Sequence, residues 1–189
     1  MELLKEKIQK EGKYLGNGIL KVDSFMNHQI DPLLMKKIGE EIAQQFREHS
    51  PTRILTAESS GIAPSLVTAI ELSIPVVYAR KSQPITMKSD PFREKSESHT
   101  HKKAVELIVS TEYLNANDRV LIVDDFLATA RTILALVKVV EQSGAKLIGI
   151  ASVIEKEFEG GREKVSGLGV PVISLARIRS LEEGKIVFA

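Results

Sequence analysis

"RVLIVDDFLATARTILALVKVVEQSG", Arg119–Gly144, is the stretch on which the architecture turns. A run of aliphatics ends in two adjacent carboxylates, Asp124 and Asp125, followed by a small-residue turn and an apolar segment that stops at a glycine. Val120-Leu-Ile-Val123 lacks polar alternation, so it reads as a strand covered on both faces, as in a parallel sheet. The segment from about Thr132 to Ser143 reads as a helix ended by Gly144. Its part Ile133–Val140 is apolar nearly all round, which requires burial on more than one side, against the sheet or at a subunit contact.

Two acids side by side repel one another, and desolvation penalises both. Hydroxyls or positively polarised groups are therefore expected to meet Asp124 and Asp125. Directly after them, Ala128-Thr-Ala-Arg-Thr132 leads into the helix. Successive backbone N–H groups in such a turn, with the helix dipole behind them, suit a terminal phosphate, and Thr129 and Thr132 add hydroxyls. Carboxylates that accept from vicinal hydroxyls beside a phosphate cradle fit a ribose 5-phosphate. The plain alternative is that the acids merely begin a loop, with Asp125 capping the helix.

Outward from this stretch the alternation is regular. Met1–Lys10 reads as a short helix and Ile19–Phe25 as a strand. Asp31-Pro32 starts a helix, and Leu34, Ile38, Ile42 and Phe46 give Leu33–Glu48 one apolar face. Strand Arg53–Ala57 runs through Glu58-Ser-Ser-Gly61 into helix Ile62–Leu72. Strands follow at Pro75–Ala79, Val105–Ser110, Arg119–Val123, Lys146–Ile154 and Pro171–Ile178, with a helix near Arg162–Leu168. Strands alternating with helices predict an α/β fold with a doubly wound, mainly parallel sheet. In such sheets ligands bind outside the carboxyl ends of the strands. Glu58–Gly61, Arg80-Lys81, Asp124-Asp125 with the turn, and Glu155-Lys156 all fall at such ends.

The 189 residues are 43% hydrophobic and 27% charged, with a net charge of +1 and no cysteine. One domain, 1–189, is expected, without disulfides or thiolate metal sites. The balanced charge predicts no nucleic-acid partner. No apolar run approaches the ~20 residues of a membrane span and no signal peptide is visible, so a cytoplasmic, non-membrane protein is expected. Lys81–Lys103 is polar, carries two prolines and exceeds an ordinary connection, which suggests a lid or flexible loop. His99 and His101 within it make a poor metal set, two apart with no cysteine nearby.

Val123-Asp-Asp-Phe-Leu-Ala-Thr129 resembles the phosphoribosyl-pyrophosphate (PRPP) signature of type I phosphoribosyltransferases. Met26–Pro32, Ala57–Ser65, Val153–Arg162 and Ser174–Phe188 are together similar to the xanthine subfamily, so the likeness runs through nearly the whole chain. The resemblance implies transfer of phosphoribose from PRPP to xanthine, giving XMP and pyrophosphate in purine salvage, with Mg²⁺ carried on PRPP and a homodimeric assembly. It implies xanthine contacts at Leu20, Asn27 and Lys156 and PRPP contacts at Ala128, Thr129, Ala130, Arg131 and Thr132. Glu58, Ser59, Ser60 and Gly61 would form the pyrophosphate loop, residues 1–30 would contribute to the purine site and hood, and 81–103 would be a mobile loop. Asp124, Asp125 and Glu155 are the candidate catalytic carboxylates, with Asp125 or Glu155 as proton acceptor.

The residue types agree with these roles. The Lys156 ammonium can donate to a 6-oxo group and disfavours a 6-amino group, while Asn27 offers both donor and acceptor. Leu20 offers only apolar packing. Guanine and hypoxanthine stay open as substrates, as does a non-catalytic PRPP-binding regulator, although no DNA-recognition module is evident. Ala130 stands where the family carries glycine. If the position needs positive φ, alanine there is strained and PRPP binding is expected to be weaker.

Overall fold

The computed structural model describes residues 1–87, 90–97, 104–182 and 185–189. The central sheet has the order β10-β9-β8-β7-β3-β4, where β3 is Arg53–Ala57, β4 Val76–Ala79, β7 Arg119–Leu127, β8 Lys146–Lys156, β9 Val172–Glu182 and β10 Lys185–Phe188. All neighbours are parallel except the edge pair β9–β10. Alternate residues of the central strands serve opposite layers. Leu121 and Val123 join Ile54 in a core with α1 (Glu2–Glu11), α2 (Pro32–Phe46) and α3 (Ile62–Leu72). Val120 and Ile122 join Leu55 in a second core with α4 (Arg131–Ser143) and α5 (Gly161–Ser166). The doubly wound α/β arrangement expected from the sequence is thus the observed one.

Local chemistry sets the helix starts and stops. Asp31 caps α2 by accepting from the Leu33 and Leu34 amides, each at 3.1 Å, with Pro32 in the first turn. Gly144 ends α4 at φ 71°. No helix among the described residues is long and apolar enough to cross a membrane.

Three local readings are corrected. Ile19–Phe25 is not one strand. Only Leu20–Lys21 (β2) is extended, paired with Lys13–Tyr14 (β1), and Asp23–Asn27 winds into a wide helical turn that buries Phe25 and Met26. Val105–Ser110 is extended, as Ala104–Val109 (β6), but lies outside the main sheet. It pairs antiparallel with Phe92–Glu97 (β5), a strand within the polar segment read as loop. An apolar pattern marks a strand without naming its partner, and the partner here is too polar to show. The hairpin meets the chain just past β4 through reciprocal Arg80–Ile108 backbone bonds of 2.9 and 2.8 Å. Thirdly, β7 continues to Leu127, so Asp124 and Asp125 lie within a strand and not after it.

The hairpin also explains the all-round apolarity of α4. The helix lies between the sheet and β5, with Gln142 donating to the Arg93 carbonyl oxygen at 3.1 Å and accepting from its amide at 3.3 Å. Residues 88–89 and 98–103, including His99 and His101, lie outside the described residues.

Candidate active site

The site grows out of a split in the sheet. The β3–α3–β4 unit winds one way and the β7–α4–β8 unit the other, so the topology reverses between β3 and β7. Their pairing ends at Leu55–Ile122, while β7 runs on beside β8, Asp124 opposite Ser152. Beyond Ile122 the two strands part, and a crevice opens beside Asp124 and Asp125.

Two cavities occupy that crevice and share Asp124, Asp125 and Thr132 as a common wall. One, of about 360 Å³, is lined by Leu20, Asn27, Phe126, Lys156 and the turn Ala128–Thr132. The other, of about 320 Å³, is lined by Glu58, Ser60 and Lys81 together with Ser96, Val105 and Leu107 of the hairpin. Chain segments far apart in sequence therefore meet at one rim.

Asp124 is 6% exposed. Burial, then the neighbouring charge of Asp125, raises its pKa well above the usual carboxylate range, against the pull of the Asp125 amide that donates to it at 3.1 Å. Asp125 is less enclosed. It accepts from its neighbour's amide, Phe126 N–H, at 2.9 Å and from Asn27 Nδ2 at 3.2 Å. That bond fixes the Asn27 amide in the cavity lining and ties residues 23–27 to β7.

Lys156 ends β8, its Nζ 3.2 Å from Glu159 Oε1 and 5.4 Å from the centre of the Phe126 ring. Both members of the ion pair are little exposed, 12% and 11%. Phe126 and Glu159 are functional candidates that the sequence reading missed. Phe126 was hidden as an ordinary apolar residue within the signature. The i,i+3 spacing of Lys156 and Glu159 across a single 3₁₀ turn was the signal available for the other.

The turn 128–132 delivers Thr132 to both cavities, and Ala130 sits at φ 65°, ψ 11° immediately before α4. The position does demand the left-handed region. Strain of about 1 kcal/mol is offset in part by burial of the methyl, worth ~0.8 kcal/mol. Ala130→Gly is therefore expected to change stability by less than about 0.5 kcal/mol. On the role that the sequence resemblance implies for this turn, removing the strain is expected to lower the KM for PRPP about two- to fivefold. Initial-rate kinetics check this, and an unchanged or raised KM refutes it.

Gly61 is required by close approach. A Cβ there would overlap the Thr56 hydroxyl and lie 3.0 Å from Asp124 Oδ1. Glu58 Oε1 accepts from the Lys81 amide at 2.7 Å, joining the loop after β3 to the segment after β4. Ser59 is exposed beside them and lines neither cavity.

Glu155 is not brought into either cavity. It is 1% exposed and receives Arg162 Nε and Nη2 at 2.7 and 2.5 Å, with Arg177 Nε at 3.7 Å. Burial alone would raise its pKa, but the bonds from Arg162 and Ser174 and the arginine charges outweigh it, leaving Glu155 below the ordinary glutamate value. A carboxylate so occupied is a poor proton acceptor for a ligand in the crevice.

A crevice at the switch point of a parallel sheet, beside a tight turn that opens a helix, is where α/β folds take nucleotides and sugar phosphates. The chain belongs to the phosphoribosyltransferase family: residues 26–167 match the family model described as the phosphoribosyl transferase domain. It is 51% identical over 188 residues to the xanthine phosphoribosyltransferase of Geobacillus thermodenitrificans, covering all of this chain and 97% of that one. The enzyme of the same name from Moorella thermoacetica is 47% identical, with coverage of 100% and 96%. The fold matches the crystal structure of adenine phosphoribosyltransferase from Rhodothermus marinus with a TM-score of 0.75, at 23% identity over 94% of this chain and 100% of that one.

Proposed function

We propose that the protein transfers the 5-phosphoribosyl group of PRPP to xanthine, giving XMP and pyrophosphate. The observation that carries this reading is the pair of cavities sharing Asp124, Asp125 and Thr132 as one wall. The larger has an apolar side for a flat base, from Leu20 and Phe126, and polar groups for its edge, from Asn27 and Lys156. The smaller has backbone and a lysine for a departing diphosphate.

In this reading the turn 128–132 takes the 5-phosphate through its N–H groups and threonine hydroxyls. Asp124 and Asp125 accept from the ribose hydroxyls. Lys156, held by Glu159, donates to the 6-oxo group of the base. The glycosidic bond to pyrophosphate breaks through an oxocarbenium-like ribose as the purine nitrogen closes on C1. The protein orients both partners and stabilises charge on the leaving group. Mg²⁺ arrives as part of the PRPP substrate, and adjacent carboxylates suit a cation that keeps its waters and its phosphate ligands. In this reading Asp125, which lines the base cavity where Glu155 does not, receives the purine proton as the N–C bond forms. The same reading includes a homodimer at work in the cytoplasm, with residues 1–30 completing the purine site.

The test is to incubate the protein with PRPP and Mg²⁺ and, in turn, xanthine, guanine, hypoxanthine and adenine. XMP is expected to form fastest by at least about tenfold. Faster GMP or IMP would reassign the base, and PRPP binding without turnover would mark a regulator.

A further inference from the structure

We propose that the short helix α5 acts as a backstop that sets the shape of the phosphate turn, with Gly161 and Lys164 as positioning residues for PRPP. The proposal rests on the functional reading above and adds residues that touch no substrate.

Two contacts independent of each other point to it. A Cβ at Gly161 would overlap the Ala128 carbonyl oxygen and lie 2.9 Å from the Ala130 nitrogen. The backbone of α5 therefore lies directly against the turn, at a distance only glycine allows. One helical turn on, Lys164 Nζ donates to the Thr129 carbonyl oxygen at 3.2 Å. The carbonyls of residues 128 and 129 are thus held from behind. Because each peptide is planar, fixing a carbonyl also fixes the N–H of the next residue, which points the other way. Holding the carbonyls of Ala128 and Thr129 aims the amides of Thr129 and Ala130.

The backstop is itself anchored. Val165 is fully buried in the core that also contains Leu127 and Ala130. Arg162 bonds Glu155 through two nitrogens, the Val172 carbonyl oxygen at 3.0 Å and Ser174 Oγ at 3.1 Å. Glu155 immediately precedes Lys156, so β8 ties the helix behind the phosphate turn to the lysine of the base cavity. A turn whose Ala130 is strained gains from being held by a neighbour.

The test uses Gly161→Ala, Lys164→Met and Lys164→Arg in the full chain. Gly161→Ala is expected to raise the KM for PRPP about tenfold or more, and Lys164→Met about two- to fivefold. The xanthine KM and the kcat at saturating PRPP should move less than about twofold in Lys164→Met, and Lys164→Arg should recover most of the loss. Amide hydrogen exchange of peptides spanning 128–133 should quicken in Gly161→Ala and Lys164→Met relative to the unaltered protein. Equal exchange in Lys164→Met, or a PRPP KM unmoved in both variants, overturns the proposal. If the unaltered protein makes no nucleotide, the functional reading falls, while exchange alone still decides the backstop. If Gly161→Ala does not fold, Lys164→Met and its arginine rescue decide it.

Discussion

Asp124→Asn will make the unliganded protein more stable while removing nearly all transferase turnover. The side chain is buried beside another acid, and its pKa is raised by burial first and by Asp125 second. In the folded state it therefore holds its proton to higher pH than in the unfolded chain. Between those two pKa values the folded state binds more protons, so stability falls as pH rises through the window, and the penalty is complete above the folded pKa. Asparagine keeps an oxygen for the Asp125 amide and carries no charge. The gain at pH 8 is expected to be about 1–2 kcal/mol, or roughly 2–8 °C in Tm, and to vanish below about pH 4. Turnover with PRPP and xanthine should fall by about two orders of magnitude, because a neutral amide accepts weakly from ribose hydroxyls and supplies no charge opposite the developing cation. Thermal melts across pH 4–8 with parallel XMP assays test both halves. A less stable variant at pH 8, or an equally active one, would reject this account of Asp124.

Arg162→Met should show the opposite behaviour, a large stability loss that acid relieves. In the native protein the depressed pKa of Glu155 contributes stability above its unfolded pKa, lost as pH falls through the folded value. Removing Arg162 leaves a carboxylate that is 1% exposed with Arg177 Nε at 3.7 Å as its remaining close cation among the described residues. Breaking one side of a buried pair is expected to cost about 3 kcal/mol at pH 7.5, or roughly 6–12 °C in Tm. Near pH 4, where Glu155 can be neutral in the variant, the deficit should shrink to less than half. Adding Glu155→Leu to Arg162→Met should restore part of the loss at neutral pH, since no unpaired charge remains. An equal deficit at both pH values would show that the loss comes from packing and not from charge.

Asp124 and Glu155 both fall near the carboxyl end of a parallel strand. Asp124 faces the crevice because β3 has already parted from β7. Glu155, one strand further, meets Arg162 from a helix seven residues on and is consumed by it. Charge type and position along the chain cannot separate these cases, since the difference lies in what packs against each side chain.

Much of the architecture was nevertheless written in local patterns. The unbroken aliphatics of 120–123, the Asp31-Pro32 start, the Gly144 stop and the alternation of strands with helices determined a doubly wound α/β chain. They also placed the small-residue turn 128–132 at the start of α4. These features follow from backbone geometry and from burial periodicity, which act over a few residues. The alanine in place of a glycine at 130 was likewise legible in the signature, while the positive φ it adopts, 65°, came from the structure.

Tertiary structure alone decided the rest. It paired Ala104–Val109 with a polar strand, wound Asp23–Asn27 into a turn that brings Asn27 to Asp125, and stood Lys156 over Phe126. It also set α5 against the turn 128–132. Each of these is a contact between segments distant in sequence, fixed by complementary shape and by which buried polar groups find partners, and no short window of residues records that.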